Sequence, residues 1–416
     1  MPSRPQLASR LDFAALAALA VCFPGLAVLL PLSVVPVTLA AGLLALVAEV
    51  LSGERLSRPG LAVGASALWL ALWALLSALW ALDPAHSLET WARLLPTVAA
   101  GGFLVLHAGR QPAEQRRRIA GWLLAGFAVA VALLAFEGAS GRAINLLFAQ
   151  LVDRVPDGGG FPLNRMNRGA VAVAILVWPA AAALAARLPV TRRPAVLLLP
   201  LATIPLLWFF ASASAFLACA VALVAALLCL PAPRLARGIL LALVAVLLLA
   251  MPQIAKEISS RGLAEEESLA FSFRHRVFIW NFAAEAIDER PLIGWGLDAS
   301  RDLAKPGSPR FDGTHGALPL HPHNAALQVR LELGWVGLLL GGLLLLLVLS
   351  GIRRGPPLAT ALDAGLACSI LVVGLLAFGV WQLHWLVVPL VAAALMRLTA
   401  VPGTTVPGAS QSSSES

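Results

Sequence analysis

Residues 315–350 read HGALPLHPHNAALQVRLELGWVGLLLGGLLLLLVLS. A polar segment with three histidines, His315, His321 and His323, runs through a short amphipathic stretch and past Gly334 and Gly337 into an unbroken leucine-rich run. That run is apolar all round, which suits a helix surrounded by lipid rather than one laid on a soluble core. Asn324 stands where it can cap the helix that follows. A membrane entry and a cluster of titratable side chains therefore share one stretch, and elsewhere ionisable groups are rare or fall where loops would place them.

The rest of the chain has the same character. Hydrophobic residues make up 59% of 416 and charged residues 12%, and the mean hydropathy is +0.85. Several apolar runs reach the roughly 20 residues that a helix needs to cross a hydrocarbon core. The prediction is an all-α, polytopic membrane protein with about 12 spans, near 11–30, 32–51, 61–82, 91–108, 119–137, 169–187, 194–211, 213–231, 238–254, 325–350, 361–381 and 383–400. Residues 1–254 then hold nine transmembrane helices with an outer loop at 138–168. A large outer loop with short helices follows at 255–324, then three more transmembrane helices at 325–400. A tail at 401–416, rich in Pro, Gly, Ser and Thr, is expected to be disordered and cytoplasmic. The first apolar run lacks a cleavage signature and leads directly into further spans, so it reads as a helix and not as a signal peptide.

The net charge of +8 does not indicate nucleic-acid binding. Only Lys256 and Lys305 are lysines, and the arginines cluster in alternate short connections. That is the distribution that keeps basic loops in the cytoplasm. It predicts that both termini are cytoplasmic, with Arg93 and the two long loops as the outer-face exceptions. Cys22, Cys219, Cys229 and Cys368 lie inside apolar runs, where a thiol acts as a small hydrophobe.

The two long loops carry the arginines that the charge rule leaves unexplained. Arg165 and Arg168 lie at the end of 138–168, directly before a span, where they either snorkel towards headgroups or hold an anion. In the larger loop, Phe271 to Glu289 reads as an amphipathic helix, with Arg276, Trp280, Ala283 and Ile287 on one face. Pro291 stops it, and Gly294-Trp-Gly296 forms a turn. Arg274 and Arg276 sit near its start, where the helix dipole disfavours cations and a bound anion would relieve the conflict.

Histidine and arginine together suggest a class of chemistry. The chain has no Walker-type GxxxxGK[ST] motif. Arginine forks match phosphate oxygens, and histidine removes protons near neutral pH. A hydroxyl could therefore attack a carbon whose leaving group is a lipid-linked phosphate or pyrophosphate. Such a group departs without a general acid when its charge is stabilised. No metal or cofactor is needed in this scheme. Three other readings stand beside it: a zinc site from the histidines with Asp312, histidines that only build the next helix's start, and a transporter of an anion or lipid-linked precursor.

His323-Asn324, nine residues, Gly334, two residues and Gly337 together resemble the signature of the O-antigen ligase and polymerase superfamily. Arg276 four before Trp280, then Pro291-Leu-Ile-Gly294-Trp-Gly296, resembles that family's preceding loop. The resemblance implies a glycosyltransferase of the bacterial inner membrane with a periplasmic active site. Such an enzyme moves a glycan from undecaprenyl pyrophosphate to a hydroxyl of lipid A–core in lipopolysaccharide biosynthesis, inverting and metal-independent. The related activities are O-antigen repeat-unit polymerase and protein O-oligosaccharyltransferase. By position, His323 would be the catalytic base and Arg276 the pyrophosphate-binding arginine. Many members carry an arginine where this chain has Ser212-Ala213-Ser214. Arg165 and Arg168 are the expected substitutes, with Arg274, His321 and Asn324 as further substrate-binding residues.

Overall fold

The structure is a computed structural model that describes residues 3–53, 56–151, 166–210, 212–303, 309–313, 316, 318, 320–351 and 356–399. Helices α1 (Arg4–Leu29), α2 (Val34–Ser52), α3 (Leu61–Leu76), α4 (Pro84–Arg110) and α5 (Ala113–Ala139) precede the short α6 (Ala143–Leu151). Next come α7 (Asn167–Ala185), α8 (Leu198–Phe209), α9 (Ala213–Cys229) and α10 (Pro233–Ser260), then α11 (Phe271–Glu289) and the one-turn α12 (Ser300–Leu303). The chain closes with α13 (Ala325–Ser350), α14 (Pro357–Leu376) and α15 (Leu383–Leu398). Among the described residues the only β pairing is an isolated bridge between Arg310 and Gly316.

The chain is a polytopic all-helical membrane protein. Among the described residues ten helical segments are long and apolar enough to cross a membrane by length and composition, α3 and α8 each counted with the 3-10 turn that adjoins it. Each of the twelve expected spans has its helix, but α9 and α15 are 17 and 16 residues long and fall below that length. At about 1.5 Å per residue they reach roughly 24–26 Å, against a hydrocarbon core of about 30 Å. The hydropathy reading also runs a span as far as 381, whereas α14 ends at Leu376. Residues 377–382 leave the helix because their backbone and side chains close over the candidate site.

The centre of the bundle is α7, an alanine-rich helix buried along nearly its whole length against α1, α5, α9, α14 and α15. Lipid tails are as apolar as leucine, so close approach of backbones holds such helices together. A Cβ on Gly365 of α14 would lie 2.3 Å from the Trp178 ring of α7, so only glycine admits that ring. Trp178 Nε1 donates to Ser369 Oγ at 3.1 Å, and Ser369 Oγ lies 3.1 Å from the Ala174 carbonyl and 3.2 Å from that of Ala218. One hydroxyl thereby joins α7, α9 and α14.

Helix α13 breaks at Gly334, where φ is 66° and ψ −161°. A break in a membrane helix frees backbone groups that cost several kcal/mol each if left unpaired in lipid. The Pro291–Gly296 turn meets them. Trp295 and Gly296 N–H donate to the Leu331 and Glu332 carbonyls at 3.0 and 2.8 Å, and Trp335 N–H donates to the Pro291 carbonyl at 2.9 Å. Trp73 Nε1 takes the Leu333 carbonyl at 2.9 Å. The approach is so close that a Cβ on Gly334 would fall 2.2 Å from the Leu292 carbonyl oxygen, and one on Gly294 2.4 Å from Glu332. The two glycine motifs of the sequence are thus two halves of one joint.

Candidate active site

Helix α11 spans Phe271–Glu289, as its amphipathic pattern predicts, with Trp280, Ala283 and Ile287 buried. Trp280 Nε1 donates to the Pro322 carbonyl at 2.9 Å, which fastens the His321-Pro322-His323 segment to this helix. His323 takes a left-handed backbone with φ 54°, unusual for a residue with a side chain. Its Nδ1 lies 2.6 Å from the Ala377 carbonyl. A carbonyl only accepts, so Nδ1 carries the proton and Nε2 keeps its lone pair. Nε2 has no hydrogen bond among the described residues.

Arg276 sits one turn before Trp280, close enough to His323 to disfavour its protonation. Burial, Arg276 and His275 push the His323 imidazole below its ordinary value, against the opposing pull of the Ala377 carbonyl. Arg276 Nη1 donates to the Ser272 carbonyl at 3.2 Å, while its Nε is buried with no partner among the described residues. Burial works against the guanidinium charge, and a bound anion would offset both deficits.

The remaining predicted site residues have varied placements. Arg274 Nε donates to the Ala264 carbonyl at 2.9 Å and its guanidinium lies over the Phe311 ring, so its contacts tie the loop together. Asn324 is the cap of α13, its Oδ1 accepting the Leu327 N–H at 3.1 Å. His321 is buried beside His323, with ring centroids 4.3 Å apart. Its Nδ1 accepts the His323 N–H at 3.2 Å. Its proton therefore belongs on Nε2, 3.2 Å from the side-chain amide of Gln382, whose oxygen must turn to accept it. Arg165 and His315 lie outside the described residues.

Arg168 is exposed at the start of α7. Its neighbour Asn167 accepts from the Ser212 hydroxyl and, at 3.3 Å, from that of Ser214. The structure thus ties the start of α7, one residue before Arg168, to the Ser212-Ala213-Ser214 segment. Arg168 also lines a small pocket with Phe378, His384 and Trp385. Phe378 follows Ala377, whose carbonyl holds His323.

Sequence reasoning missed two parts of the site. Residues 377–382 hold His323 through Ala377 and bond Gln328 through the Val380 N–H at 2.8 Å. Glu332 is wholly buried. It accepts from the Asp298 N–H at 2.6 Å, Gln328 Nε2 at 3.0 Å, Trp381 Nε1 at 2.5 Å and the Ser300 hydroxyl. This carboxylate locks α13, the turn after Gly296 and residues 377–382 together. Its one legible signal was a lone acid two residues before Gly334. As for the zinc reading, no group of three potential ligands is assembled among the described residues.

Comparison with known proteins covers the same residues. The family described as O-antigen ligase matches residues 195–342, which include Arg276, the Pro291–Gly296 turn, His323, Gly334 and Gly337. Three Rickettsia proteins, each named "Putative polysaccharide ligase", are similar over most of their length. That of Rickettsia conorii is 28% identical over 343 residues, 79% of this chain and 78% of its own. That of Rickettsia felis is 29% identical over 346 residues, 80% of each, and that of Rickettsia bellii 28% over 339 residues. With both motifs inside the matched segment and keyed into one joint, the chain is similar to the O-antigen ligase family over residues 195–342 and to these polysaccharide ligases over most of its length.

Proposed function

We propose that this protein joins O-antigen polysaccharide, carried on undecaprenyl pyrophosphate, to a sugar hydroxyl of lipid A–core, at the periplasmic face of the bacterial inner membrane. The observation that carries the proposal is the tethered His323, whose Nδ1 is committed to the Ala377 carbonyl while Nε2 stays open near Arg276.

His323 Nε2 takes the proton of the acceptor hydroxyl as its oxygen attacks the anomeric carbon. The bond from that carbon to the pyrophosphate oxygen breaks, and the electron pair leaves with the pyrophosphate. A single displacement inverts the anomeric centre. Arg276, with Arg168 in the place of the missing family arginine and Arg165 as a further candidate, stabilises the departing charge, so neither a general acid nor a metal is required. The proton on His323 is then lost to solvent, helped by the same burial and positive neighbour that keep the imidazole neutral at rest. His321 positions the His323 backbone and Asn324 caps the helix behind it; Arg274 steadies the loop that presents Arg276.

The test is reconstitution of purified protein with a lipid-linked glycan and lipid A–core, in EDTA and without nucleotide. Extended lipopolysaccharide is the expected product. Glycan elongation without lipid A–core modification would identify a repeat-unit polymerase, and glycan on a protein serine would identify a protein O-oligosaccharyltransferase. Donor that moves across the bilayer unchanged would identify a transporter.

A further inference from the structure

His321 borders a cavity of about 170 Å³ whose wall includes Arg93, Asp298, Arg301, Gln328, Trp381 and Gln382. A cavity of about 150 Å³ lined by apolar side chains holds a benzene ring, so this space is the size of one six-membered ring with a polar rim. Its lining is polar, which excludes an apolar occupant.

Each arginine on the wall has a carboxylate partner, that of Arg93 lying off the wall. Arg301 Nε lies 3.2 Å from Asp298 Oδ2, and Arg93 pairs with Glu89 at 3.4 Å. The wall therefore suits a neutral hydroxyl-bearing ligand better than an isolated anion. Hydrogen-bonding capacity is left over. His86 Nε2, Thr90 Oγ1 and Arg301 Nε all converge on Asp298 Oδ2, at 2.9, 3.1 and 3.2 Å, and none of these bonds uses Oδ1. With its oxygen turned to accept from His321 Nε2, the Gln382 amide leaves its N–H donors without a partner among the described residues. Trp381 adds an aromatic surface, held by its Nε1 bond to Glu332. A carboxylate acceptor, amide and guanidinium donors and an indole around a ring-sized space form a hydroxyl-reading site.

We propose that this cavity binds a sugar ring of the acceptor, an inference that rests on the transferase reading of His323. The cavity lies one imidazole away from the proposed base, since His321 lines it and the His321 and His323 rings are 4.3 Å apart. A donor is already anchored through its pyrophosphate at Arg276. The reacting hydroxyl of the acceptor carries no such charge to fix it at His323, and the cavity supplies that hold.

Two variants outside the reacting groups test it. Leu320→Trp fills the mouth from a residue that is 48% exposed and lines the cavity. Arg93→Ala removes a half-exposed donor and leaves the fold's buried contacts intact. In the reconstituted reaction, both should raise KM for lipid A–core by about tenfold or more, the loss of one or two hydrogen bonds, with donor KM unchanged. In parallel, calorimetry with core oligosaccharide freed of its acyl chains should show binding to wild type and none to Leu320→Trp. If wild type transfers and the variants raise donor KM instead, or leave acceptor KM unchanged, the acceptor assignment is overturned while the transferase reading stands. If wild type transfers to no acceptor, the transferase reading falls. Calorimetry then decides separately: no heat with wild type overturns the sugar site, and heat lost only in Leu320→Trp sustains it.

Discussion

His107 and His323 lie at opposite ends of the helical bundle and are wired differently. His86 and Thr90, in the first turns of α4, bond Asp298 beside the candidate site. His107 lies on the same helix, about 30 Å further along at about 1.5 Å per residue. It is buried between two carboxylates, with Nδ1 2.6 Å from Glu49 and Nε2 2.5 Å from Asp12. Judged by burial and a carboxylate partner alone, it is the better imitation of a catalytic dyad. Both of its nitrogens are occupied, however, so no substrate proton can reach it. His323 has a carbonyl on one nitrogen and, among the described residues, nothing on the other. The open nitrogen, more than the burial, separates a histidine that holds helices from one that can act as a base.

That contrast is testable from both sides. His107→Ala leaves Asp12 and Glu49 facing each other without the group that joins α1, α2 and α4. Removing one partner from a buried charged pair costs about 3–5 kcal/mol, which is the largest stability effect expected here. Thermal unfolding in detergent should show a marked fall in midpoint, while turnover per folded molecule stays near wild type. A stable but inactive His107→Ala would erase the distinction. Arg276→Lys should leave the melting curve unchanged and slow transfer about 10- to 100-fold, the worth of about 1.5–3 kcal/mol for a charge-assisted hydrogen bond that an ammonium cannot replace in kind. Wild-type turnover in that variant would disconnect Arg276 from the leaving group.

A pH-dependent effect concerns His321. Burial, with His323, Arg301 and His384 adding to it, pushes its imidazole down to about 3, against an ordinary value of 6.5. Between those values the unfolded chain binds a proton that the folded chain refuses, so stability present above pH 6.5 is lost progressively as pH falls towards 3. His321→Asn should flatten this part of the stability-against-pH curve in detergent. An unaltered slope would mean that His321 is not held neutral by its surroundings.

Much of the architecture was legible because lipid constrains sequence so strongly. Twelve apolar runs became twelve helices, and α11 begins and ends where its period and Pro291 place it. Length was the weak point. Residues 377–382 are apolar enough to pass for membrane span, and hydropathy cannot register that the Ala377 carbonyl leaves the helix to hold His323. At the site, spacing singled out His323 and Arg276, and the geometry gives that spacing a cause, because Trp280 lies one turn from Arg276 and grips Pro322. The same spacing said nothing of Glu332 and Asp298. Their partners come from α4, the turn after Gly296 and residues 377–382, contacts far apart in the chain that no local pattern encodes. Asn324 and Arg274 show the reverse: they lie within or beside the motifs, yet their observed contacts are a helix cap and a loop tie.

The account rests most directly on His323, and the rate of glycan transfer by purified His323→Ala measures it. With the variant monodisperse and melting like wild type, the account predicts a fall of about 10²- to 10⁴-fold, the usual contribution of a positioned general base. Transfer by His323→Ala at the wild-type rate would contradict it.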